Sequence, residues 1–304
     1  MIAFVFPGQG SQSPGMGKDL AENFPVARQI FEEANDALGF DLAKLCFNGP
    51  EEDLKLTANT QPAILTVSVA ALRVVEQETG LAAAYAAGHS LGEYSALVCS
   101  GALQFADAVR TVRQRGTFMQ EAVPVGVGAM AAVMGLDSDV LAAVCAEAAQ
   151  GDVVSPANFN SPGQVVIAGH TGAVERAMEL ARQRGAKRAL PLPVSAPFHC
   201  SLMAPAGERL REVLDGIRVS AMKPPVVSNV EAAPNEDHGR VRELLVTQVS
   251  APVRWEESVA RMAELGVDRF VEIGPGKVLS GLIKRIAKGC AAQSVEDTSG
   301  LKAL

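Results

Sequence analysis

Gly88-His89-Ser90-Leu91-Gly92 follows a run of small apolar residues, Ala83 to Ala87, and precedes a helix-like run, Glu93 to Val98. A strand, G-x-S-x-G and a helix form the context in which a serine becomes a nucleophile. The sharp turn forces Ser90 into a strained backbone conformation, and side chains at 88 or 92 would clash with it. The hydroxyl is then presented at a helix N-terminus, whose free N–H groups can hold a developing oxyanion. The alternative is a purely structural turn.

A serine hydroxyl needs a base within hydrogen-bond reach. The chain has four histidines. His89 is the neighbour of Ser90, and its side chain should point away from the hydroxyl. His170 is expected at a strand end, helping to start the next helix. His238 lies in a polar, solvated loop. His199, in Ser195-Ala196-Pro197-Phe198-His199-Cys200, falls where the chain leaves one predicted unit and re-enters another, and such junctions line clefts. By elimination His199 is the candidate base, with activity expected to fall on the acid side of neutral as the imidazole protonates. Cys200 reads as an ordinary buried thiol.

In the helix predicted from Gln104 to Ala122, Phe105, Val109, Val112 and Met119 form one apolar stripe. Arg115 borders one side of it and Arg113 the other, so pattern alone does not separate them. An arginine at a core edge binds a carboxylate, and on pattern alone a structural ion pair is the better reading.

These residues need a scaffold. At 304 residues, 48% hydrophobic and 20% charged, the chain can bury a large core. The net charge of −7 and the lack of a polybasic block argue against nucleic acid. Five scattered cysteines without metal-ligand spacing read as free thiols in a reducing compartment. The apolar N-terminus runs into Pro7-Gly8 too soon for a signal segment, and no apolar run is long enough to span a membrane, so cytoplasm is expected.

Strands are expected at Ile2–Phe6, before the elbow, at Pro225–Val230 and at Arg269–Ile273. Helices are expected at Pro25–Leu38, Glu51–Leu56, Gln61–Thr79, Ala206–Leu214, Val241–Val249, Trp255–Leu265 and Val278–Ala287. Between them lies a β-α-β-β-α-β series. It comprises Gly128–Met134, Ser138–Ala149, Val153–Phe159, Val165–Gly169, Val174–Arg184 and Lys187–Val194. Asn160-Ser161-Pro162-Gly163 would join the middle strands, and Thr171 would cap the second helix. The fold class is α/β. Residues 1–124 and 196–304 form a large α/β-hydrolase-like domain with a mostly parallel sheet, and 125–195 an inserted small ferredoxin-like domain. The tail after Lys288 is expected to fray in part.

Several stretches in order resemble the bacterial malonyl-CoA:acyl-carrier-protein transacylases of type II fatty-acid synthesis. They are FVFPGQGSQ (Phe4–Gln12), NTQPAILTVSVA (Asn59–Ala70), GHSLGEYSAL (Gly88–Leu97) and RG-x-x-MQEAVP (Arg115–Pro124). ANFNSPGQVVIAG (Ala157–Gly169), SAPFHCSLM (Ser195–Met203), VRWEESV (Val253–Val259) and EIGPGKVL (Glu272–Leu279) complete the series. The resemblance implies that Ser90 is acylated with His199 as its base, and that the backbone carbonyl of Gln248, not an acid, orients the imidazole. It places Gln9 and the Leu91 amide in the oxyanion hole. It pairs Arg115 with the free carboxylate of a malonyl group, which decides the arginine question in favour of function. Phe198 resembles the malonyl-selecting form of its motif, and Asn160 is expected to bind substrate.

The partners implied are malonyl-CoA and holo-acyl carrier protein. No cofactor, metal, nucleic acid or membrane is implied, and a monomer is expected. Lys187 with Arg188, or Lys284 with Arg285, could flank the entrance used by an acidic carrier, the alternative being that both pairs are solvated surface charges. Rival readings are a serine esterase, which would show an HGGG-type loop that this chain lacks, and a non-catalytic carrier-binding subunit. A trans-acting polyketide acyltransferase or a malonate-decarboxylase subunit would keep the same chemistry.

Overall fold

The computed structural model describes residues 1–194 and 196–304. Its strands are β1 (Ile2–Phe6), β2 (Tyr85–Gly88), β3 (Gly128–Met134), β4 (Val154–Ser161), β5 (Gln164–His170), β6 (Arg188–Pro191), β7 (Val226–Val227), β8 (Pro234–Asn235), β9 (Arg269–Ile273) and β10 (Ala291–Val295).

The main sheet runs β10-β9-β1-β2-β7-β8. All its pairs are parallel except β7 with β8. Its central strand, β1, is apolar throughout because helices cover both faces. Phe4 and Phe6 point into the core built on the helix Thr57–Thr79. Ala3 and Val5 point into the opposite core, with Trp255 and Phe270. The chain is thus a mixed α/β protein with a largely parallel sheet.

The second sheet, β4-β5-β3-β6, is antiparallel. Helices Ser138–Ala149 and Thr171–Gln183 pack on one face with a core of their own. Strand alternation sends Ala131 and Val133 into that core. Met130, Ala132 and Met134 face the other way and line cavities against the main unit. Strand β4 is also tied to the main unit: the Phe159 N–H donates to the Val253 carbonyl at 2.9 Å, and the Val253 N–H to the Ala157 carbonyl at 2.8 Å.

Several expectations are corrected. The helix expected from Gln61 begins at Thr57, so Pro62 lies inside it, with the Thr66 hydroxyl donating to its carbonyl. Asn160 and Ser161 belong to β4, leaving Pro162-Gly163 as the turn. Thr171 is the first helical residue rather than the cap, and its hydroxyl donates to the Gly126 carbonyl. The strand expected over Lys187–Val194 narrows to β6, and its predicted domain boundary at Ser195 lies outside the described residues. The strand expected over Pro225–Val230 stops at Val227, because the chain turns there and carries Asn229 under the elbow. The tail does not fray: β10 pairs in parallel with β9, and Thr298–Lys302 is helical. As an edge strand β10 needs fewer apolar residues than a central one, which weakens its pattern.

Candidate active site

The elbow is built by close packing. A Cβ at Gly88 would lie 1.9 Å from the Gly92 carbonyl carbon, and one at Gly92 would lie 2.1 Å from the Phe6 carbonyl oxygen. Ser90 sits at φ 50, a conformation that a non-glycine residue holds only when its surroundings impose it. Asn229 imposes it here. Its side-chain amide donates to the Gly88 carbonyl at 2.7 Å, and its Oδ1 accepts the Ser90 N–H at 2.7 Å. The Ser90 amide is therefore engaged, and Leu91, at the start of the helix Gly92–Cys99, is the next backbone donor.

His199 Nε2 lies 2.7 Å from Ser90 Oγ, and His199 Nδ1 lies 2.9 Å from the Gln248 carbonyl oxygen. A carbonyl only accepts, so Nδ1 carries the proton and Nε2 is left to accept the serine hydroxyl. No acid takes part in this arrangement. Burial, and then the nearby Arg115 charge, push the His199 pKa down to about 3. Burial thus favours the neutral imidazole below the pH at which an ordinary histidine protonates.

Arg115 is almost fully buried, at 1% exposure. Its Nη1 donates to Gln61 Oε1 at 2.8 Å, and its Nη2 to Gln248 Oε1 at 3.0 Å and to Ser90 Oγ at 3.1 Å. Arg113 turns elsewhere, bonding to Asn59 and lying over the Phe40 ring. The two arginines that sequence pattern left equivalent are thereby separated. Glu93, also buried, accepts the Asn229 N–H at 2.9 Å and Gln248 Nε2 at 2.8 Å. Burial pushes the Glu93 carboxyl up to about 7, against the pull of those two donors and of Arg115.

Ser90, His199, Arg115, Gln9, Gln61, Met119, Met130 and Phe198 line one cavity of about 110 Å³. Gln9 reaches it from the turn after β1, with its Nε2 donating to the Thr57 hydroxyl at 3.3 Å. Asn160 is not part of that wall. It lines the adjoining cavity of about 370 Å³ and bonds His89 Nε2 at 2.8 Å. His89 borders both cavities, turned towards Asn160. His170 ends β5 and stands at the N-cap of the helix Thr171–Gln183, as expected, but its side chain makes no capping bond and accepts the Val153 N–H through Nδ1; His238 is exposed. Cys200 is buried, with its thiol pushed up to about 11 mainly by burial, and the five cysteines are free.

Sequence reasoning passed over Gln61, Glu93 and Asn229. The one available signal was for Asn229, which follows a parallel strand at its C-terminal end, where sites in such sheets gather.

A strained serine, a neutral histidine held by a carbonyl and an arginine beside the hydroxyl are the equipment of a serine-based acyltransferase. The chain belongs to the acyl transferase domain family, whose model matches residues 3–300. It is similar to the malonyl CoA-acyl carrier protein transacylase of Escherichia coli strain K12, with 55% identity over 99% of this chain and 98% of that one. The enzyme of the same name from Bacillus subtilis strain 168 is 51% identical, over 97% and 93%. Among solved structures, an acyl carrier protein S-malonyltransferase from Vibrio cholerae superposes with a TM-score of 0.97 at 52% identity, covering 99% of both chains. A malonyl-transacylase in complex with its type II PKS acyl-carrier protein gives 0.97 at 53% identity, over 99% and 98%. No helix among the described residues is long and apolar enough to cross a membrane.

Proposed function

We propose that this protein moves a malonyl group from malonyl-CoA to the phosphopantetheine thiol of a holo-acyl carrier protein, through a malonyl ester on Ser90. One observation carries the reading: a buried guanidinium, that of Arg115, lies within 3.1 Å of the serine that would take the acyl group. A malonyl thioester ends in a carboxylate that Arg115 can bind in a bidentate fork, whereas acetyl would leave it unpaired.

In the first half-reaction His199 Nε2 takes the Ser90 proton as Oγ attacks the thioester carbonyl. The oxyanion of the tetrahedral intermediate is held by the Leu91 N–H and Gln9. The carbon–sulfur bond breaks, and CoA leaves as the thiol with the proton returned by His199. In the second half-reaction the carrier's thiol gives its proton to His199 and attacks the ester, and Ser90 recovers its proton. The reading calls on no bound cofactor or metal, since CoA and phosphopantetheine enter as substrates. Phe198 would narrow the acyl cavity, and Asn160 would act from the adjoining cavity through His89.

The reading also includes a cytoplasmic, monomeric enzyme and a division into two units. The large unit would be 1–124 with 196–304, and the ferredoxin-like unit 125–195. Two separate sheets, and a separate core under the antiparallel one, support that division. Fatty-acid synthesis is the favoured pathway, on the resemblance of the motifs to the transacylases of type II fatty-acid synthesis. The resemblance to a type II PKS transacylase supports a second pathway with the same chemistry.

Incubation with labelled malonyl-CoA and acetyl-CoA, then with holo-carrier protein, tests the reading. Wild type should carry malonyl on Ser90 and pass it on, and Ser90→Ala should fold yet carry none. An adduct on the Ser90→Ala variant, read by intact mass, would overturn the assignment.

A further inference from the structure

The structure holds two buried glutamates among the described residues, and they do different work. Glu272 accepts the Leu279 and Ser280 N–H groups at 3.0 and 2.7 Å, which closes the start of a helix. Glu93 closes no helix. It accepts from Asn229, which clamps the elbow, and from Gln248, which holds both His199 and Arg115.

The Gln248 amide is the pivot. Its Nε2 donates to Glu93 Oε2 at 2.8 Å and to the Ser90 carbonyl at 3.0 Å, so its Oε1 faces Arg115 Nη2. A side-chain amide has one accepting and one donating end, and an ionised carboxylate only accepts. Glu93 and the Ser90 carbonyl, which also only accepts, therefore set together which way the amide lies. Reversed, the amide would present N–H groups to a guanidinium. When ionised, Glu93 also supplies, one amide away, negative charge to a cation that has been taken out of water.

We propose that Glu93 is a positioning residue for malonyl recognition: through the Gln248 amide it holds Arg115 turned towards Ser90 and balances its buried charge. This rests on the malonyl reading above.

The test compares Ser90 loading from malonyl-CoA and from acetyl-CoA in the full-length protein carrying Glu93→Gln, which is close in shape but uncharged. Without the carboxylate the Gln248 amide is held by the Ser90 carbonyl alone, and Arg115 has a less firmly fixed acceptor. The malonyl-to-acetyl ratio of kcat/KM should fall about tenfold or more, as for one lost hydrogen bond to a charged group. An unchanged or raised ratio overturns the proposal, because a carboxylate that only supports the core costs both acyl groups alike. A second arm serves if Glu93→Gln folds poorly. Adding Arg115→Ala removes the cation that needs balancing, so the double variant should recover a higher unfolding midpoint than Glu93→Gln alone. A double variant no more stable than the single one overturns the proposal. Failure of the malonyl reading itself would show separately, as wild type that loads no acyl group on Ser90, and the unfolding arm would still judge Glu93.

Discussion

Around Ser90 one side of the cavity is polar and mutually bonded, with Arg115, Gln61, Gln248 and His199 occupying one another's hydrogen-bonding groups, and Met119, Met130, Leu192 and Phe198 close the rest. Past Gln9 and His89, which border both spaces, the adjoining cavity has an apolar side made by Ala132, Met134, Val166, Leu279 and Leu282, with Ser11, Asn160 and Gln164 among its polar groups. A wall of fixed polar groups penalises any occupant that leaves one unpaired, so it discriminates. An apolar wall loses little when its occupant shifts, so it accommodates. On the malonyl reading, choice between acyl groups belongs to the first region, and passage of the thioester arm to the second. Substitutions in the two regions should therefore fail in different ways.

The largest loss is expected at the base. His199→Ala should slow acyl transfer roughly 10²–10⁴-fold for malonyl and acetyl alike, since both need the Ser90 proton removed. Near-normal turnover in a stopped assay of this variant would reject the pair. Next comes Arg115→Ala, which should cost malonyl transfer about 2–5 kcal/mol, as for one lost partner of a buried charge pair. Acetyl transfer should fall far less or improve. Equal losses for both substrates would make Arg115 structural and remove the contrast between the regions.

The pH profile sharpens the same comparison. With the His199 pKa pushed down to about 3, malonyl loading should show no acid limb from this group near its ordinary value of 6.5. Because Arg115 contributes to that depression, Arg115→Ala should move the limb upward. Stability follows by linkage. Between 6.5 and about 3 the unfolded chain binds a proton at His199 that the folded protein refuses, so this group's contribution weakens as pH falls through that window. Loading rates from pH 4 to pH 8 would decide, and a wild-type limb near 6.5 would mean that the imidazole is better solvated than its burial implies.

The smallest effects are expected outside both cavities. Lys187 and Arg188 adjoin Met134, which lines the apolar region, and Arg285 bonds Gln164 on β5. Lys284 and Arg285 end the helix that supplies Leu279 and Leu282 to the same wall. Reversing the charge of either pair should raise KM for an acidic carrier and weaken its salt dependence, while loading from malonyl-CoA stays unchanged. If reversal of both pairs leaves the carrier KM where it was, docking lies elsewhere.

The parts of this protein that could be read along the chain are those governed by near neighbours. The elbow is legible in five residues because the clash that excludes a side chain at 88 is local to the turn, although the one that excludes a side chain at 92 is with Phe6 on β1. Strand β1 is legible because burial on both faces leaves no polar position in it. His199 could be found because the other three histidines each had a local explanation, such as His170 at the end of β5 and the start of the next helix. The order of elements and the mixed α/β class follow from the same short-range patterns.

What only the tertiary structure decided depends on partners far apart in sequence. Arg115 and Arg113 lie on the same helix with similar patterns, and the choice between them is made by Gln61 and Gln248, 54 and 133 residues away. Asn229 reaches the elbow across 139 residues, and Glu93 reaches Gln248 across 155. Asn160 falls in the adjoining cavity because β4 continues through it, which the expected loop did not allow. The tail becomes strand because β9 offers a free edge, a fact held in β9 and not in the tail. Backbone sterics act over a few residues and leave their mark in local spacing. A buried polar group, by contrast, is satisfied by whichever donor or acceptor the fold delivers to it, and only the assembled fold specifies that partner.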